Sequence, residues 1–324
     1  MKLKLLLITL LCTAANVYAS CGTTYCSVNT QWDNQGLVNS EGLRIDLRYS
    51  YAKADTSRIG SSQVVNDPAT AGVDEEVENL RTINQILNME IDYAINPKFN
   101  VALGLPLVMR DHAHTIADGL GGGIVEQGKF RELGDARVVG SYKFDSDDHF
   151  SGSGVRFGIK LATGSTKWEL QPGVTGERSI QPGSGSTDAI LGAFYHQEFA
   201  DSPWGWFTSA QLQTALSVKD EYRPGNDIAL DIGTHYEISQ ALTGLLQLNA
   251  QFKNHDSGLN ANPHSGGKNL NLSPGLSFAV APQSRIYGFV QLPLYQYANP
   301  DHAGSPDGQL TAPWSLSVGV SSNF

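Results

Sequence analysis

The sequence predicts an all-β protein, a transmembrane antiparallel up-and-down β-barrel of about twelve strands with both termini on the periplasmic side. Three observations predict it. Apolar and polar residues alternate with period two along much of the chain, the signature of strands with one apolar and one polar face. Most alternating stretches match or exceed the roughly 9–11 residues a tilted strand needs to cross a bilayer. The connections alternate between tight turns and long loops, as in outer-membrane barrels.

The strands are expected near 43–51, 80–95, 99–112, 134–145, 153–165, 186–199, 205–218, 224–238, 241–255, 268–281, 284–297 and 312–324. In 83-INQILNMEIDYAI-95, Ile83, Leu87, Met89, Ile91, Tyr93 and Ile95 oppose Asn84, Asn88, Glu90 and Asp92. In 227-DIALDIGTHYEI-238, Ile228, Leu230, Ile232, Tyr236 and Ile238 oppose Asp227, Asp231, His235 and Glu237. In 242-LTGLLQLNAQFK-253, Leu242, Leu246, Leu248, Ala250 and Phe252 oppose Gln247, Asn249, Gln251 and Lys253. The last stretch sets Trp314, Leu316, Val318, Val320 and Phe324 against Ser315, Ser317, Gly319, Ser321 and Asn323.

Links after the even-numbered strands are mostly tight, as at Asn96-Pro97-Lys98 and Pro282-Gln283, with 145–153 longer but turn-like, whereas 52–79, 113–133, 166–185, 256–267 and 298–311 form long loops. Aromatic residues at strand ends (Tyr49, Tyr51, Phe99, Trp204, Trp206, Tyr295, Tyr297 and Trp314) match interfacial girdles. A soluble sandwich or barrel also alternates, but rarely with strands this long and with one polar face on nearly every strand.

With the apolar parity outward, Arg44, Asp46, Arg48, Glu90, Asp92, Arg137, Lys143, Arg156, Lys160, Asp231, His235, Glu237 and Lys253 line the lumen. Each charge would cost about 2–4 kcal/mol facing lipid at the midplane. Facing water or one another they cost little, and most are expected to pair while a minority sets selectivity.

The N-terminus directs export. Residues 1–19, lysine-flanked, apolar from Leu5 to Leu11 and ending on Ala19, read as a signal peptide. Lipidation of Cys21 is the competing reading, weakened by Tyr18. Removing Lys2 and Lys4 and no acid shifts the formal charge of −10 by −2, to −12. An acidic exported chain argues against nucleic-acid binding. Mean hydropathy of −0.22 is no obstacle to a barrel, because half of the strand residues face a polar interior. Residues 20–42 read as a periplasmic segment that plugs the barrel, docks a partner or is a bare leader. In an oxidising compartment Cys21 and Cys26 pair as a short disulfide or supply two thiolates to a metal.

Several junctions carry a family resemblance: 134-GDARVVGSYKF-144, 181-QPGSGSTDAILGAFY-195, 205-GWFTSAQLQ-213, 222-YRPGNDIALDIG-233, 273-SPGLSFAVAPQSRIYGFVQLPLYQ-296 and 314-WSLSVGVSSNF-324. Over roughly 130–324 the chain resembles the outer-membrane channel family named for the meta-pathway of phenol degradation. The resemblance implies a porin-like barrel in the Gram-negative outer membrane and leaves the solute open. The N-terminal stretches 21-CGTTYCSVNTQWDNQG-36 and 105-LPLVMRDHAH-114 look like a narrower subgroup of it.

Asp111, His112 and His114 are the candidate metal ligands; His112 and His114, two apart on a strand, share a face, and Asp74, Glu75 and Glu76 end the loop before the neighbouring strand. Cu or Zn would suit such donors, although loop histidines are more often plain solvated groups. No GxSxG elbow, phosphate loop or CxxCH is present, so neither an enzyme nor a cofactor is expected, and 119-GLGGG-123 reads as a flexible loop.

The expected function is a channel passing small hydrophilic or amphipathic solutes through a charged lumen. The alternative is a non-conducting barrel that binds metal or sheathes a periplasmic partner. Outer-membrane lipid, the solute and the barrel-assembly machinery are the expected partners, and the terminal Phe324 resembles the signal that machinery reads.

Overall fold

The computed structural model describes residues 28–32, 35–37, 42–74, 76–146, 150–259, 261, 264–300 and 308–324. Twelve strands form the wall: β1 Gly42–Ala54, β2 Glu76–Asn96, β3 Phe99–Ala117, β4 Arg137–Lys143, β5 Ser151–Lys160, β6 Thr187–Glu198, β7 Trp204–Ser217, β8 Asp227–Glu237, β9 Leu242–Lys253, β10 Gly267–Ala281, β11 Ser284–Ala298 and β12 Ser315–Asn323. Each pairs antiparallel with its sequence neighbour, and β12 returns to β1 through Arg44↔Asn323 to Ala52↔Ser315. Closure leaves every strand within the wall two partners, so backbone amides and carbonyls are satisfied without water.

The side chains are distributed inside out for a soluble protein. Leu191, Ile232, Leu276, Val280, Ile286 and Leu294 are exposed on the outer face, while Asn249, Ser273, Ser317, Gln247 and Gln291 are buried within. An apolar surface of that extent faces lipid, not water. Aromatic pairs sit toward both ends of the belt: Tyr51 with Trp314 at 5.8 Å, and Trp204 with Tyr236 at 4.7 Å. Phe324 lies at the end of the wall that carries the tight turns, where it donates its amide to Leu43 at 2.8 Å.

Two elements depart from the expected pattern. Residues 123–133, expected as loop, form a strand, Gly123–Leu133, that pairs with the upper part of β3 from Leu107 to Ala117. The lower part of β3, Phe99–Gly104, pairs instead with β4. The wall therefore rises past the apolar belt on this side. The glycine run before that strand forms its turn, where Asp118 accepts amide hydrogens from Leu120 at 2.8 Å and Gly122 at 2.9 Å. Those bonds, Leu120's first, hold the Asp118 carboxyl below the usual carboxylate range. A second small sheet joins Thr56–Ile59 to Ser62–Gln63 and Gln309–Thr311, tying two long loops over the mouth.

Candidate functional site: an occupied, charge-lined lumen

The described part of the N-terminal segment lies inside the barrel. Trp32 has no exposed surface and packs with Val28 against Leu245, Tyr287 and Phe289, with Leu37 alongside. Its ring meets Tyr287 edge-on at 4.8 Å, and the Arg285 guanidinium lies 5.8 Å from its centroid. Tyr287 and Phe289 reach inward from β11 because the neighbouring strands offer glycine where they lie. A Cβ on Gly275 would come 2.3 Å from Phe289, and one on Gly319 would come 2.4 Å from Tyr287. Burying a ring of this size is worth about 4–6 kcal/mol of apolar transfer.

Polar contacts hold the other flank. Asn29 donates to Asp231 at 3.0 Å and to Ser209 at 2.9 Å, and its carbonyl accepts from Gln247 at 2.9 Å. Arg48 donates to the Val28 carbonyl at 3.2 Å. Asp231 also accepts from Asn249 at 2.7 Å, and Asn249 in turn accepts from Ser273 at 2.6 Å. The segment is thus fastened to β1, β7, β8, β9 and β11 at once.

Several of the predicted lumen charges are brought into pairs, and others hydrogen-bond to neutral groups. Arg44 reaches Asp92 at 2.8 Å and Glu90 at 3.7 Å. Asp46 accepts from the Tyr287 hydroxyl at 2.7 Å. Lys160 sits between Asp135 at 3.2 Å and Asp188 at 2.9 Å. His235 meets Glu198 at 3.0 Å, and Lys253 meets Asp256 at 3.6 Å. Arg156 donates to Gln211 at 3.2 Å. Lys143 and Glu237 lie toward the turn end of β4 and β8.

Between these pairs a cavity of about 500 Å³ remains, lined by Arg48, Glu90, Arg137, Arg156, Asp231 and Lys253 among others. Its upper wall is the loop between β5 and β6, where Ser184 donates its amide to Asp135 at 2.9 Å and Arg178 and Gln181 border the space. Beside it, Tyr222 donates to Asp256 at 2.7 Å; burial, then the Asp256 charge, pushes this phenol above its ordinary pKa.

No protein-family model matches the sequence, and no curated protein matches it. Among solved structures, an outer membrane channel from Pseudomonas putida F1 superposes with a TM-score of 0.65 at 10% identity, covering 92% of this chain and all of that one. The KdgM porin (TM-score 0.44, 10% identity, covering 87% of this chain and 99% of that one) and the P. putida toluene transporter TodX (0.42, 10%, 88% and 91%) align more loosely. At 10% identity, the first likeness establishes the architecture, a barrel of the outer-membrane kind, and nothing finer.

Of the expected metal ligands, His112 and His114 face the same way, as alternation requires, but Asp111 does not join them. It points to the opposite face and pairs with Arg81 at 3.4 Å. Glu76 takes the place expected of an acid nearby, its Oε1 3.0 Å from His114 Nδ1. Cys21, Cys26 and Glu75 lie outside the described residues. The inward aromatics and Leu245 were not among the expected site residues. Their signal in the sequence was apolar side chains on the polar parity of β9 and β11.

Proposed function

We propose that this protein is an outer-membrane channel through which small hydrophilic or amphipathic solutes diffuse, with its own N-terminal segment narrowing the path. The observation that carries the reading is the polar cavity of about 500 Å³ inside a closed wall, bordered by charges of both signs. Charges of opposite sign side by side favour no large net selectivity, whereas Arg137, exposed to the cavity, favours anionic or amphipathic solutes locally. The junction motifs of the phenol meta-pathway family support the same reading without choosing a solute.

Export by residues 1–19, a Cys21–Cys26 staple within 20–42, and recognition of Phe324 by the assembly machinery complete the proposal. Liposome swelling with sugars and organic acids of graded size tests it. Uptake above protein-free vesicles, with a sharp size limit, is expected. Absence of uptake for every solute, in the intact chain and in one lacking residues 20–40, would sink it and favour a non-conducting sheath.

A further inference from the structure

Above the apolar belt, five side chains converge on one face of the extended wall. His112 and His114 alternate inward on β3; Thr82 lies directly across from His112 and Glu126 directly across from His114. Glu76 joins them through a bulge: from Val77 to Arg81 the chain of β2 advances four positions while its partner moves only from Thr115 to Ala113. That irregularity draws Glu76, already on the face of Thr82 and the histidines, down opposite Ile116 and next to His114.

His112 Nε2 lies 2.9 Å from His114 Nδ1, which lies 3.0 Å from Glu76 Oε1, and the three ligand atoms all fall within 4.8 Å of one another. All three residues are buried, His112 completely. Each imidazole is also engaged at its other nitrogen, His112 Nδ1 with Thr82 Oγ1 at 2.9 Å and His114 Nε2 with Glu126 Oε2 at 3.3 Å.

The proton count around His114 is the telling feature. Its two nitrogens face two different carboxylates, Glu76 and Glu126. A neutral imidazole has one N–H and serves only one of them. A divalent cation among Glu76, His112 Nε2 and His114 Nδ1 resolves this. His114 then carries its proton on Nε2 for Glu126, and His112 carries its own on Nδ1 for Thr82, the outer contacts that orient metal-bound histidines. Ligands of a tetrahedral Zn²⁺ stand about 3.3 Å apart, so the spacings of 2.9 and 3.0 Å open by a few tenths of an ångström while the third, within 4.8 Å, closes to match.

We propose that Glu76, His112 and His114 form a binding site for a divalent first-row metal of the Zn²⁺ class, with Thr82 and Glu126 as positioning residues. The ion clasps β2, β3 and the Gly123–Leu133 strand where they stand clear of the bilayer, whether or not the lumen conducts.

The test is calorimetric titration of the chelator-washed, detergent-folded barrel with Zn²⁺, with X-ray absorption at the zinc edge. One Zn²⁺ per barrel in a nitrogen and oxygen environment is expected. His112→Ala and His114→Ala should abolish binding, Glu76→Gln should weaken it more than about tenfold, and Glu126→Gln should weaken it about 10–100-fold. Asp111→Asn, on the opposite face, should bind as the parent does. Heat-modifiable migration reports folding of each variant; if the alanine variants fail to fold, the milder Glu76→Gln decides alone. No Zn²⁺ uptake by the parent would overturn the site in favour of an imidazolium bridging two carboxylates. Uptake unchanged in Glu76→Gln and in every folded histidine variant would place the metal elsewhere and equally overturn it.

Discussion

Arg44 and Asp92 lie opposite one another on β1 and β2, both nearly without exposed surface, with Asn100 donating to the same carboxylate at 3.2 Å. Removing one partner of such a pair strands the other charge, at a cost of about 3–5 kcal/mol. Arg44→Ala should therefore lower the barrel's stability by about that amount in urea refolding, whereas Arg137→Ala, exposed to the cavity, should change it by less than about 1 kcal/mol. Trp32 is the corresponding residue of the inserted segment. Trp32→Ala should remove about 3–5 kcal/mol from its docking while leaving the wall intact. Protease cleavage within residues 28–37 should then become faster with no loss of heat-modifiable barrel; unchanged protection would show that the polar contacts of Asn29 suffice.

At the scale of elements, the loop from β5 to β6 is held down by Lys160, which pairs with Asp135 and Asp188 and donates to Ser184 and Ser186 at the loop's end. Lys160→Met should release this loop, read as new proteolysis between residues 161 and 186, while the strands survive. The closing seam makes a second prediction. Phe324 completes the β1–β12 ladder through Leu43, so its deletion should reduce the yield of folded barrel far more than it alters the pore; normal yields would contradict the assembly role. The twelve wall strands were legible because period-two alternation is imposed on each by lipid outside and polar groups inside. The Gly123–Leu133 strand was not legible, since above the belt it has no lipid to face, and Ile124, Glu126, Gly128, Phe130 and Glu132 share a parity. The metal candidates were half legible for a related reason. Alternation unites His112 with His114 and expels Asp111, but the bulge that brings in Glu76 leaves no mark in residue pattern.

For the whole molecule, the lumen is both charged and occupied. Arg44, Asp46, Asp92, Lys160 and His235 are buried, yet alternation could not foresee that Leu245, Tyr287 and Phe289 turn inward, because an apolar side chain in a polar lumen makes sense only once Trp32 is seen against it. In the proposed channel, passage is governed by two inserted pieces that both border the cavity, residues 28–31 and the Arg178–Ser184 stretch. The most direct measurement is single-channel conductance in planar bilayers of the intact chain against one lacking residues 20–40. A small conductance for the intact chain and a several-fold larger, steadier one for the shortened chain is the predicted result. Equal conductances, or none from either folded protein, would contradict a channel restricted by its own N-terminal segment.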